Sequence, residues 1–157
     1  MRTGLRALIL SLSLASDGAL AADTREAVAP APKDPVMERY STAAARQDWT
    51  AAAGALSEGL SKDPGNADYH NLYAYSIRKG PNPDTSLVFK HYNEALRIDP
   101  KHRGAHEYLG EAYLMVGNLA KAKEQLAALD KLCFFGCSEF SDLKKAIAAH
   151  EAKVVKQ

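Results

Sequence analysis

Apolar positions along this chain recur at three- and four-residue steps, and no segment sustains an alternation of apolar and polar residues. The pattern therefore predicts helices and no strands. The last segment, SEFSDLKKAIAAHEAK, shows it most cleanly: Phe140, Leu143, Ile147, His150 and Val154 mark one face, and Lys144, Lys145, Lys153 and Lys156 lie off it as a solvated face. Ser138 is the expected N-cap there, with Glu139 and Asp142 suited to the positive end of the helix dipole. Upstream, alanine- and leucine-rich segments are interrupted at intervals by turn residues. Pro64 and Pro100 lack a donor N–H and end helices. Gly80, Pro81 and Pro83 make a stiff turn before an N-cap at Asp84 or Thr85, read as a tolerated surface insertion rather than a recognition loop.

The interruptions are periodic. LSEGLSKDPGN and YNEALRIDPKH each place a small residue, Gly59 or Ala95, five positions before a proline. QDWTAAAGAL and GNLAKAKEQL each lead from an Asp or Asn turn into an alanine-spaced helix. Aligning Pro64 with Pro100 and Ala52 with Ala122 gives a period of about 34 residues apart from one small insertion, the signature of an array of helical hairpins. Small Gly110 and Ala122 are expected to face each other where two helices approach, with Tyr113 and Leu126 filling the space beside them. A single hairpin cannot bury its apolar face, so successive hairpins must stack.

These residues resemble tetratricopeptide repeats, whose pattern is Trp-x2-Leu-Gly-x2-Tyr, then Ala-x3-Phe, then Pro. His106-x2-Leu109-Gly110-x2-Tyr113 followed by Ala122-x3-Leu126 matches best. The second unit reads Tyr69-x2-Leu72-Tyr73-x2-Ser76, then Val88-x3-Tyr92-x2-Ala95, ending at Pro100. The first keeps Ala52-x3-Leu56-x2-Gly59 and Pro64, and its opening helix runs around Val36, Tyr40 and Ala43 without a fixed register. The resemblance implies an all-α solenoid over residues 34–157, with repeats at about 34–66, 67–102 and 103–136 and a capping helix at about 138–155. It further implies a groove, lined by the first helix of each hairpin, that binds a peptide or protein segment. By register that groove takes His70, Ala74, Ile77 and Arg78 from the second repeat and Glu107, Glu111, Leu114 and Met115 from the third. Chaperone-binding members hold a C-terminal carboxylate with basic and amide residues; Glu107 and Glu111 depart from that, and would favour a neutral or basic peptide with an apolar anchor near Met115.

The N-terminus changes the setting. Arg2 and Arg6 precede an apolar run from Ala7 to Ala15, and Ala19-Leu20-Ala21 supplies a small-x-small cleavage pattern. Residues 1–21 thus read as a secretory signal peptide cleaved after about Ala21, and 22–33 as an Ala/Pro-rich linker. The run is far short of the ~20 residues of a spanning helix, so no membrane insertion is expected after cleavage. Among exported settings the expected place is the periplasm. The net charge of +1 offers no basic stripe for nucleic acid.

Candidate chemistry is sparse. The chain has no Gly-rich phosphate loop, no Gly-x-Ser-x-Gly and no His-Glu-x-x-His, so no catalytic residue and no cofactor is assigned. His102 and His106 share metal-like spacing, but His106 stands at the family's Trp position, which packing explains; His70, His91 and His150 have no companion at useful spacing. The two cysteines, Cys133 and Cys137, bracket the corner between the last hairpin and the cap, with Phe134 and Phe135 expected to pack into the solenoid end. In an exported chain a disulfide is one reading. A soft-metal pair such as a Cu(I) site, a redox pair and unpaired thiols are the others. The functional expectation is a non-catalytic peptide-binding scaffold; thiol-redox or copper handling through Cys133 and Cys137 is the alternative.

Overall fold

The computed structural model describes residues 34–154. The segments expected to be a signal peptide and a linker, and the last residues, Lys156 among them, lie outside the described residues. Within them the chain is all helix: α1 (Pro35–Ala45), α2 (Trp49–Lys62), α3 (Ala67–Lys79), α4 (Thr85–Ile98), α5 (Arg103–Met115), α6 (Leu119–Leu132) and α7 (Ser138–Val154).

Every helix opens on a side chain that accepts an otherwise unpartnered N–H of its first turn. Asp34, Asp48, Asn66, Asp84, His102 and Asn118 cap α1 to α6 in order. At α7 the Cys137 sulfur takes that place, 3.4 Å from the Phe140 N–H. Ser138 is therefore the first helical residue rather than the cap, and its hydroxyl turns to Glu139 at 3.2 Å.

α1/α2, α3/α4 and α5/α6 form antiparallel hairpins, and each second helix packs on the first helix of the next; α7 leans on α5 and α6 as a further first helix would. Three core clusters show why the hairpins cannot stand apart. Tyr69 of α3 joins Val36 and Leu56; Leu109 and Ala112 of α5 join Ala74, Val88 and Tyr92; Leu143 and Ile147 of α7 join Ala122 and Leu129. Each cluster borrows its last members from the following unit, so burial is completed only by stacking. Val154, expected on the apolar face of α7, is exposed at the helix end.

The small residues work at these seams. At Gly110 a Cβ would lie 2.6 Å from a Leu143 methyl of α7. At Gly59 it would lie 2.8 Å from Val36 and 2.9 Å from Tyr69. Absent side chains thus let successive units close up.

Turns within hairpins are short at Gln47 (φ 57°) and Gly117 (φ 74°) and longer between α3 and α4. Turns between hairpins come in two kinds. After α2 and α4, an aspartate precedes proline and folds back: Asp63 accepts from the Gly65 N–H at 3.3 Å and Asp99 from the Lys101 N–H at 2.9 Å. After α6, Cys133 occupies the aspartate's C-cap position and is disulfide-bonded to Cys137, with Cα atoms 5.5 Å apart. Gly136 takes φ 85° in this turn. Phe134 and Phe135 do not pack into the solenoid end; they stand 86% and 95% exposed.

Candidate binding cleft

Two hydrogen bonds fix the register of the repeats. His70 Nε2 donates to the Pro64 carbonyl at 3.0 Å, and His106 Nε2 donates to the Pro100 carbonyl at 3.0 Å. His70, not Tyr69, is therefore the counterpart of His106, and the groove positions of α3 move on by one residue. Asn71, Tyr75, Arg78 and Lys79 correspond to Glu107, Glu111, Leu114 and Met115 of α5. The signal was present in the sequence, since both histidines stand six residues after their proline.

This shift corrects the expected groove. Ala74 is fully buried in the core against Val88 and Tyr92, because it corresponds to Gly110 and faces the next unit. His70 is buried in the hairpin, and Ile77 packs on the same core, lining a hollow with Trp49 and Pro81 instead. Arg78, Glu107, Glu111, Leu114 and Met115 do come together. They line two adjoining hollows of about 480 and 430 Å³ that share Arg78, Glu111, Ala146 and Ala149 and run between α3, α5 and α7. Tyr75, Lys79, Tyr108, Asp142 and Lys145 also line the first, and His150 the second. Lys145 and Lys153, read from the sequence as a solvated face, border this cleft.

Arg78 organises the cleft. It donates to Glu111 Oε2 at 2.7 Å and to the Tyr92 hydroxyl at 3.2 Å. Its guanidinium lies over the rings of Tyr75 at 5.4 Å and Tyr108 at 5.8 Å, the cation–π geometry. The two tyrosine rings approach to 4.7 Å. Only 11% of the Arg78 side chain is exposed. Burial opposes its charge, and Tyr92 and Glu111 more than offset that, raising its pKa. Glu111 therefore already has a counter-ion within the wall.

Glu107 is different. It is 9% exposed and, among the described residues, makes no hydrogen bond or ion pair. Burial first, then the carboxylates of Glu111, Asp142 and Glu139, push its pKa up to about 7 against the pull of Arg78.

Two of the three histidines expected to lack a companion meet each other. His70 and His91, on facing helices, meet Nδ1 to Nδ1 at 2.8 Å. Since His70 Nε2–H is committed to Pro64, its Nδ1 accepts and His91 Nδ1–H donates. His106 Nδ1 meets the Gln125 amide at 2.8 Å, the equivalent contact one repeat later. His102 caps α5 through Nδ1 and reaches Asp68 through Nε2 at 3.0 Å, so His102 and His106 turn to separate partners. Cys133 and Cys137 share no lining residue with the cleft, and their sulfurs are spent on each other.

Two solved structures share this architecture. The TPR2B domain of yeast Sti1 in its pHsp70 complex superposes with a TM-score of 0.66 at 20% identity, covering 75% of this chain and 94% of that one. The first TPR of Spaghetti (RPAP3) bound to the HSP90 peptide SRMEEVD gives a TM-score of 0.61 at 17% identity, covering 73% and 89%. At such identities the likeness shows the fold: the chain has the tetratricopeptide-repeat-like helical solenoid. No protein-family model and no curated protein matches the chain.

Proposed function

We propose that the chain is a non-catalytic scaffold that holds a peptide segment of another protein in the α3–α5–α7 cleft. The observation that carries this reading is the cleft itself: two adjoining hollows walled by aromatic, charged and small residues, with a pre-ordered Arg78–Glu111 pair. Fixed rings and charges lower the entropy lost on binding, as a peptide receptor requires. On the same architecture one structural neighbour carries the HSP90 peptide SRMEEVD and another is in a pHsp70 complex, which supports a peptide ligand here.

The chemistry of the ligand follows from this chain's own residues. Glu111 is already paired and Glu107 has no counter-ion, so beside these two carboxylates a neutral or basic segment gains more than a peptide carboxylate, whose cations would lie at Lys79 and Lys145 on the border of the hollow. Met115, 46% exposed at the end of the cleft, offers the apolar anchor. The signal-like N-terminus supports export to the periplasm, where a disulfide at Cys133–Cys137 holds the cap and needs no chemistry of its own. Peptides selected from a random library on the mature chain test the reading. Binding should fall at least tenfold in Tyr75→Ala and Met115→Ala and stay unchanged in Lys123→Ala on α6. Equal binding by all three variants would refute it.

A further inference from the structure

The cleft contains one carboxyl group with every mark of a site awaiting a partner. Glu107 is more than nine-tenths buried, opens into the hollow between α3, α5 and α7, and has no hydrogen bond or ion pair. An ionisable group so placed costs stability unless something pairs it. The carboxylates around it, Glu111 on its own helix and Asp142 on α7, add negative potential to the same hollow.

The cations at hand do not answer it. Arg78 is committed to Glu111 and Tyr92. Lys79 and Lys145 border the hollow and, among the described residues, pair with no carboxylate. Arg103 stands 3.7 Å from Glu139, outside the hollow. Beside Glu107, Arg78 shows how this wall treats a cation: one carboxylate and two tyrosine faces hold it. The walls next to Glu107, the Tyr108 ring and the small side chains Ala146 and Ala149, suit an unbranched methylene stem.

We propose that Glu107 is the floor of a subsite that takes one lysine side chain of the bound peptide, ammonium group to carboxylate and methylenes against Tyr108 and Ala146. This rests on the peptide-binding reading of the cleft and adds which residue the peptide must carry. A lysine fits better than an α-amine because Glu107 opens into the hollow with only 9% of its surface exposed, where a backbone terminus would have to bury its own amide groups. Binding would draw the proton off Glu107, so affinity should rise with pH through about 7. Arg78 and Lys79 on α3, Glu111 and Tyr108 on α5, and Glu139, Asp142 and Lys145 on α7 are the groups that set this titration.

Three small probes test it on the mature chain: N-acetyl-lysine methylamide, N-acetyl-norleucine methylamide and norleucine methylamide with a free amine. Amide shifts and the 13C carboxyl signal of Glu107 are followed by NMR. The lysine probe should bind at least tenfold tighter than the neutral norleucine probe, tighter at pH 8 than at pH 5.5, and lower the pH at which the Glu107 signal moves. Glu107→Gln should abolish the pH dependence, and Lys145→Ala should preserve or strengthen binding. Equal binding of the lysine and neutral probes, preference for the free α-amine, or a Glu107 signal that titrates in the ordinary range and ignores the probe would each overturn the subsite. Library peptides separate the two ideas: if they occupy the cleft with no need for lysine, the subsite fails and the scaffold reading stands; if they bind elsewhere, the scaffold reading fails.

Discussion

In the second and third hairpins a histidine reaches back through Nε2 to the carbonyl of the preceding proline and forward through Nδ1 to its own second helix. The forward partner is His91 in one and Gln125 in the other. One turn along the first helix the same positions diverge again: α3 carries Asn71, Tyr75, Arg78 and Lys79 where α5 carries Glu107, Glu111, Leu114 and Met115. The buried scaffold is repeated, while the cleft face is split, cations on one helix and acids on the next. The chemistry of the cleft thus arises from differences between repeats and not from the repeat itself.

Removing the bridge between the two faces should cost most. Arg78→Ala leaves Glu111 and the Tyr92 hydroxyl without their donor, and urea unfolding should show a loss of about 3 kcal/mol, as for a largely buried pair with one member deleted. The equivalent change on α5, Leu114→Ala, should cost less, about 1–2 kcal/mol, because Leu114 is only partly buried. Equal losses would mean that the pair does not organise the wall.

The inter-hairpin turns offer the next contrast. Reducing Cys133–Cys137 should lower stability by about 2 kcal/mol, the chain-entropy estimate for so short a loop. Hydrogen exchange should accelerate in α7 and leave α3 and α4 protected. Loss of protection throughout the chain would show that the turn does more than hold the cap. Gly110→Ala sharpens the seam beside it: crowding Leu143 should outweigh the gain in helix propensity, for a net cost of about 1–2 kcal/mol by thermal unfolding.

The smallest effect separates the two histidine ties. Burial first, and then neighbouring His70, lowers the His91 pKa to about 4. A folded-state pKa below the unfolded value of about 6.5 means a contribution complete above pH 6.5 and lost as pH falls through 4. For a half-exposed ring this is about 1 kcal/mol after screening. His91→Gln, which copies Gln125, should flatten the stability profile over that range. Glu107 acts with the opposite sign: its raised pKa makes stability fall as pH rises from about 4.5 to 7, and Glu107→Gln should remove that fall.

Most of the scaffold was legible in the sequence. Helix spacing, the aspartates, asparagines and prolines that punctuate it, and the repeat period depend on local rules that a single chain displays. The site was half legible. Arg78, Glu107, Glu111, Leu114 and Met115 reach the cleft, but matching Tyr69 instead of His70 to His106 slid the α3 assignment by one residue and put Ala74 in the groove. One residue is about 100° around a helix, enough to turn a core position outward. Lys145 and Lys153 could not be placed, since α7 follows a turn with one residue more than its counterparts. The His70–His91 contact spans two helices and has no local spacing to betray it.

A peptide held between α3, α5 and α7 would be seen in amide and methyl NMR shifts as a library-selected peptide is titrated into the chain. Shifts are expected at Tyr75, Arg78, Glu107, Met115 and Ala149, with α2 and the outer face of α6 unmoved. Shifts centred on Phe134 and Phe135, with the cleft silent, would contradict it.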